Sequence, residues 1–265
     1  KGFTTNMPLV IRIKNRGTYP ESNQERKIPR PGHADYAAYM KYANPDMRIY
    51  AEGASARRTA ATVAAGSLCR QWLSKLGVEV LGYVQSCGTI VDPTDYQNHT
   101  IHSLRENRNS KKTFSLNDEI DEKIKREIDH YAQSGDTLGG SVKVLISGLK
   151  AGYGSFSSAR SRLDALLAGN LCAIPSVKGL YFGNTETFKM SGSKVHDRFS
   201  VENGQIKRTS NNAGGLEGGI SNGNPIAITL YFKPIPSLSK RIESINVETL
   251  NPEPVDYVRS DVTAI

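Results

Sequence analysis

The stretch NDEIDEKIKREIDHYAQSGDTLGGSVKVLIS, residues Asn117–Ser147, reads as a helix that gives way to a strand. The helix runs from about Asn117 to Ser134, and Asp118, Glu119 and Asp121 in its first turn favour the positive end of the helix dipole. Ser141 to Ser147 then alternates as a strand. The same succession stands on either side. Upstream, Ala60, Val63, Ala64, Ser67, Leu68, Gln71 and Trp72 recur at helical spacing between a cap at Ser55 and Gly77, and the β-branched segment Val78–Val84 follows as a strand. Downstream, a helix over Ser158–Ala173 precedes a strand over Val177–Phe182. A last run, Ile226–Lys233, is closed by Pro234, which has no N–H to give to a ladder. Helix and strand in repeated succession predict sheets covered by helices, an α/β or α+β fold. No repeat of about 20–50 residues marks a solenoid.

Outside this frame, Pro8–Lys14 reads as a first strand, with Leu9, Ile11 and Ile13 alternating. Residues 15–31 read as a loop, Tyr36–Tyr42 as a helix, and Gln97–Asn117 as a polar surface excursion without periodicity.

A chain of 265 residues buries a substantial core as one large or two modest domains. With 38% hydrophobic and 23% charged residues it is expected to be globular rather than disordered. Its longest apolar runs, Val142–Ile146 and Ile226–Phe232, fall far short of the ~20 residues of a membrane helix. The start at Lys1-Gly2-Phe3-Thr4-Thr5 has no signal-peptide pattern and no Met, so a partial chain is expected. Cys69, Cys87 and Cys172 lie far apart with no ligand spacing, which argues against a zinc site or a disulfide framework and for a reducing cytoplasm. The formal charge of +8 asks for an anionic partner without choosing which.

Five segments carry candidate chemistry. In Arg30-Pro31-Gly32-His33-Ala34-Asp35 a stiff turn projects an imidazole able to exchange a proton near neutrality; the bland alternative is a loop histidine satisfied by Asp35. Residues 51–60, with Gly53, Ala54, Ser55, Arg57 and Arg58, put small residues and a helix start beside two arginines, which suits an anion as well as it suits a capped, solvated helix. Residues 210–224, rich in Gly and Asn, expose backbone donors to a flat or phosphorylated ligand, or form a floppy loop. Lys233-Pro234-Ile235-Pro236-Ser237 is either a phosphate grip or a rigid strand exit. Arg259 and Asp261 stand two residues apart, in isolation a solvated pair of little consequence.

Taken in order, these segments resemble the signature blocks of the chorismate synthases. Residues 30–35 match RPGHAD, Ser55-Ala56-Arg57 with Thr59 match the SARET-like helix start, and Asp136-Thr137-Leu138-Gly139-Gly140 resembles DSVGG. Gly152–Ser155 with Leu163-Asp164-Ala165, Ile174–Gly179, Asn211–Gly223, Lys233–Ser237 and Arg259-Ser260-Asp261 resemble further blocks, so the likeness runs from Gly2 to Asp261. The resemblance implies a single domain over residues 1–265, a β-α-β sandwich of internally related halves, homotetrameric assembly and reduced FMN (FMNH2) as cofactor, with NADPH as its candidate reductant. It also implies a lyase of the shikimate pathway, eliminating phosphate from 5-enolpyruvylshikimate 3-phosphate. Position by position, His33 and Asp261 would be catalytic, and Arg30 and Arg57 would bind substrate. Gly53, Ala54, Ser55, Pro175, Ser176, Gly218, Lys233, Pro234, Ile235, Pro236, Ser237 and Arg259 would contact flavin, and no metal is implied.

Departures accompany the likeness. Gly53 and Ala54 stand where many members carry Arg and Ser, Ser260 replaces a common His, and Lys194 a usual Glu. The N-terminal GESHG block, with a second catalytic histidine, and the C-terminal helix have no counterpart, so the chain is expected to be incomplete at both ends and inactive as it stands. A non-catalytic flavin- or phosphate-binding module is the alternative. Nucleic-acid binding is disfavoured, because the basic residues are interspersed with 26 acidic ones and no recognition motif is present.

Overall fold

The protein was analysed as a computed structural model that describes residues 4, 7–14, 25–54, 56–255 and 261–265, without the side chains of Glu52 and Arg57. It divides into two compact units, one of Lys1–Trp72 with Glu243–Val255 and one of Leu73–Ile242 with Asp256–Ile265.

The first unit opens with α1 (Asp35–Tyr42), ended by Ala43 in the left-handed region, and α2 (Met47–Gly53), whose Met47 and Tyr50 are buried. Helix α3 (Thr59–Lys75) forms as its spacing predicts, yet none of its residues is buried, and Val63 and Trp72 stand exposed. The expected strand over 8–14 is absent: these residues are exposed and belong to no ladder. Alternation supplies a face, but a strand also needs a neighbour for its N–H and C=O groups.

The second unit is built on β1 (Glu79–Cys87) and β2 (Ile90–Val91), followed by α4 (Ile101–Ser110), α5 (Asp118–Ser134) and β3 (Gly140–Ser147). The chain continues through α6 (Leu163–Cys172), β4 (Val177–Phe182), α7 (Gly192–Val195), β5 (Phe199–Glu202) and β6 (Gln205–Arg208). It then passes through β7 (Leu216–Glu217) and β8 (Ile220–Ser221) to β9 (Ile226–Phe232). Two last strands, β10 (Glu243–Ile245) and β11 (Pro252–Pro254), pair within the first unit. In α5, the Asn117 Oδ1 accepts the N–H groups of Glu119 and Ile120, and Gly135 at φ 74° ends the helix where a Cβ would be strained.

The sheet order is β2-β1-β3-β9-β4, antiparallel throughout. Register puts Val84, Val142, Leu230 and Leu180 in one row across it and Tyr83, Lys143, Thr229 and Tyr181 in the next, on the opposite face. The first face packs on α5 through Ile120 and Ile124 and on α6 through Leu163, Leu167 and Leu171. The second packs Leu81, Tyr83, Leu145 and Ala227 against Leu104 of α4 and Leu116. The excursion expected over 97–117 is therefore largely α4, capped by the Thr100 hydroxyl and anchored by Leu104, which is 1% exposed. Burying one leucine contributes about 1.5–3 kcal/mol, enough to hold a short polar helix that its own periodicity does not announce. The helix expected from Ser158 begins only at Leu163.

Candidate functional site

In the first unit, residues 26–30 are pinned from both sides. Arg26 C=O accepts the Met47 N–H, Lys27 C=O the Val247 N–H, and Pro29 C=O the Ser244 hydroxyl beside the β10–β11 pair. Gly32 at φ 77° then turns the chain, with the His33 N–H on Arg30 C=O at 3.1 Å, so that His33 faces Asp35 at the start of α1. Asp35, 1% exposed, takes the Arg30 N–H at 3.1 Å and Nε–H at 2.8 Å on Oδ2. Its Oδ1 takes Arg30 Nη2 at 3.1 Å and His33 Nδ1 at 2.5 Å. Burial pushes the Asp35 carboxyl up, but the hydrogen bonds from His33 and Arg30 and the Arg30 charge outweigh it and hold the group well below its ordinary value.

An ionised carboxylate only accepts, so the proton of a neutral His33 belongs on Nδ1, leaving the Nε2 lone pair to take a proton. Arg30 Nη2 lies 3.0 Å from Nδ1 and 3.3 Å from Nε2, so the guanidinium borders both ring nitrogens. The bland sequence reading, a histidine satisfied by Asp35, is thus the contact the structure contains. It is also the arrangement of an imidazole base oriented by a carboxylate. Asp35 was legible only as that bland partner, two residues from His33.

Gly53 and Ala54 close α2. The Gly53 carbonyl accepts Arg58 Nη1 at 3.1 Å, and the Ala54 N–H is spent on Tyr50 C=O. Ser55, Arg259 and the Arg57 side chain lie outside the described residues.

The second unit holds the other candidates in two groups. Pro175 leads to Ser176, a non-glycine residue at φ 72°, whose carbonyl accepts the Lys233 N–H at 3.0 Å, so 175–176 and the 233–237 strap adjoin. Burial, and secondarily the charge of Lys178, push the Lys233 ammonium down. The Thr137 hydroxyl donates to Ile235 C=O at 2.7 Å while the Leu138 N–H donates to Val262 C=O at 2.8 Å. One turn, residues 136–140, therefore ties the strap (Lys233, Pro234, Ile235, Pro236, Ser237) to the segment carrying the exposed Asp261.

Gly218 belongs to the second group, in the turn between β7 and β8. At φ 58°, a Cβ there would meet nothing within 4 Å, so the turn is open to a ligand. The residues just before it behave otherwise than expected. The N–H groups of Asn212 and Ala213 go to the Asp197 carboxylate at 2.8 and 3.0 Å, that of Gly214 to Asn211 C=O, and that of Gly215 to Asn211 Oδ1. These donors are spent internally, so residues 212–215 are a rigid support rather than a set of exposed ligand contacts. Asp197 as the acceptor for Asn212 and Ala213 was not foreseen; it lies 15 and 16 residues away with no local pattern to reveal it.

The donor set fits a phosphorylated flavin: cations at Lys233 and Lys178, a proline-stiffened strap, and an open glycine turn. Among the described residues no cluster of three or more His, Cys, Asp or Glu could hold a metal, and no helix is long and apolar enough to cross a membrane.

The family model described as chorismate synthase matches residues 1–265. The chain is 42% identical to a chorismate synthase of Thermotoga maritima over 268 residues, covering 100% of this chain and 69% of the relative. To that of Carboxydothermus hydrogenoformans it is 35% identical over 276 residues, covering 100% of this chain and 71% of the relative. A crystal structure of chorismate synthase superimposes with a TM-score of 0.71 at 34% identity, over 77% of this chain and 63% of that one, and shares its mixed helices and sheets. The match over the whole length, and the blocks that carry it, show that this chain belongs to the chorismate synthase family, a family of enzymes.

Proposed function

We propose that the protein is a lyase that converts 5-enolpyruvylshikimate 3-phosphate to chorismate, breaking the C–O bond to phosphate and removing a ring proton. The observation that carries this reading is the Arg30–His33–Asp35 cluster, an imidazole oriented by a carboxylate and bordered by a guanidinium. Reduced FMN, when bound, lends electron density to the elimination and is recovered unchanged, with NADPH as its reductant. Asp35 holds the His33 ring so that Nε2 accepts or returns a proton. Arg30, fixed by the same carboxylate, meets an anionic group of the substrate together with Arg57. Asp261 assists proton removal, and Lys233, with the strap to Ser237, grips the cofactor's phosphate. Gly218, Pro175 and Ser176 offer backbone of the second unit to the flat ring system, and the flavin roles of Gly53, Ala54, Ser55 and Arg259 rest on the sequence blocks alone. The reading extends to a homotetramer in the cytoplasm.

The test is anaerobic turnover. The protein in its full natural length, supplied with reduced FMN and 5-enolpyruvylshikimate 3-phosphate, is expected to release phosphate and chorismate in equal amounts. His33→Ala is expected to slow this about 10²–10⁴-fold, the usual contribution of a positioned acid–base group. FMN binding without phosphate release would replace the enzyme reading with that of a binding module.

A further inference from the structure

Asp197 makes none of the contacts expected of a surface aspartate. It follows α7 and the exposed His196, and its carboxylate turns into the start of the glycine-rich segment. Oδ1 accepts the Ser210 hydroxyl at 2.5 Å and the Asn212 N–H at 2.8 Å, and Oδ2 accepts the Ala213 N–H at 3.0 Å. From the other side, Asn211, nearly buried, donates to Pro225 C=O at 2.9 Å and accepts the Gly215 N–H at 2.8 Å. Asn212 also donates through Nδ2 to Val195 C=O, which returns the loop to α7. The segment is thus clamped between a carboxylate outside and an amide inside. It runs without interruption into β7, whose Glu217 is held bidentately by Arg208 at 2.6 and 2.7 Å, and then into Gly218.

We propose that Asp197 is a positioning residue of the cofactor site: its three accepted hydrogen bonds fix residues 210–213 and thereby set where the open turn at Gly218 is presented. The inference rests on the flavin reading above. A backbone with so many positive-φ glycines, including Gly214, Gly215 and Gly218, has little local preference for one shape, so its conformation must be imposed by partners. Asp197 supplies the charged acceptor for residues 210–213, as Arg208 supplies the charged donor for Glu217. Burial pushes its carboxyl up, but the hydrogen bonds from Ser210, Ala213 and Asn212 and the charge of Arg208 hold it below its ordinary value, so the accepting form is the one present at neutral pH. Asparagine cannot substitute, because one of the two oxygens becomes an NH2 group that confronts an N–H donor.

The experiment compares the full-length protein with Asp197→Asn and Ser210→Ala. In Asp197→Asn the KM for reduced FMN is expected to rise about tenfold, the equivalent of one charge-assisted hydrogen bond, with kcat at saturating FMN within about twofold of the parent. Hydrogen exchange at the amides of Asn212 and Ala213 is expected to quicken in step. Ser210→Ala deletes one donor and leaves both amides latched, so a rise of about threefold is expected. An unchanged KM in Asp197→Asn overturns the proposal, as does a fall in kcat at unchanged KM, which is the mark of lost folded protein. If Asp197→Asn does not fold, an unchanged KM in Ser210→Ala overturns it. Should the parent bind no FMN, the flavin reading fails by itself, and the exchange of Asn212 and Ala213 still decides whether Asp197 latches the loop.

Discussion

Replacing Asp35 with asparagine tests the site at its most buried point. The carboxylate serves four donors, two on each oxygen: the Arg30 N–H and Nε–H on Oδ2, and Arg30 Nη2 and His33 Nδ1 on Oδ1. Asparagine keeps the shape but turns one oxygen into a donor, so two of these four contacts become repulsive and the Arg30–Asp35 ion pair is broken. The Arg30 and Asp35 side chains are only 11% and 2% exposed, so water does not take over the lost contacts. Breaking one side of a buried ion pair costs about 3–5 kcal/mol, and the individual bonds do not add independently, so a local loss of about 3 kcal/mol is expected. Because the chain has two units, a single global unfolding curve would mix them, and local amide exchange is the appropriate assay. Exchange across the amides of residues 30–42 is expected to quicken about 100-fold in Asp35→Asn, the rate equivalent of that loss. The pH dependence has a fixed sign. The folded carboxyl lies below its unfolded value of 3.8, so the stabilisation is complete above that value and is lost as pH falls beneath it. The parent should therefore lose protection in acid toward the level of the variant, which should change little. Less than about a threefold change in exchange near neutral pH would refute the claim that this carboxylate organises the cluster.

Two glycines of the second unit should behave in opposite ways. At Gly154, φ 98°, an added Cβ would collide with the Gly219 carbonyl and with Leu163, so Gly154→Ala is expected to cost about 3 kcal/mol and to quicken amide exchange across the second unit markedly. At Gly218 the space is open, so Gly218→Ala should cost only about 1–2 kcal/mol for its left-handed backbone, while weakening FMN binding measured by titration. Asp121 accepts the Thr113 N–H at 2.8 Å and hydroxyl at 2.7 Å and pairs with Lys125 at 2.6 Å. Burial pushes it up, yet these partners bring its pKa to about 2. Asp121→Asn should lower Tm at neutral pH and converge with the parent as pH falls from its unfolded value of 3.8 to about 2, the interval in which the parent's advantage is lost. Parallel melting curves across that interval would contradict the assignment.

Legibility followed the range of the forces involved. Helix α5 and strands β3 and β9 were readable because caps and dipole charges, alternation in β3, and in β9 an apolar run closed by Pro234 act within a few residues. Pro8–Lys14 carries alternation as clear as theirs and forms no strand, and α4 carries almost none and forms a helix. Helix α4 is decided by a distant face of the sheet, on which Leu104 packs, and Pro8–Lys14 is paired with no strand among the described residues. The same holds at the site. His33 and Asp35 are two residues apart and could be paired on sight, whereas nothing near Asp197 hints that it takes the amides of Asn212 and Ala213.

The order of the sequence blocks was by itself sufficient to indicate the family, since motif order is a property of the chain and needs no coordinates. Which strands lie side by side was decided only by tertiary structure: β9 pairs between β3 and β4, and the turn at 136–140 receives both the 233–237 strap and the C-terminal segment. These are contacts between residues 46 to 124 positions apart, chosen by the burial of whole faces and the matching of backbone donors to acceptors, and no local stretch of sequence encodes either sum.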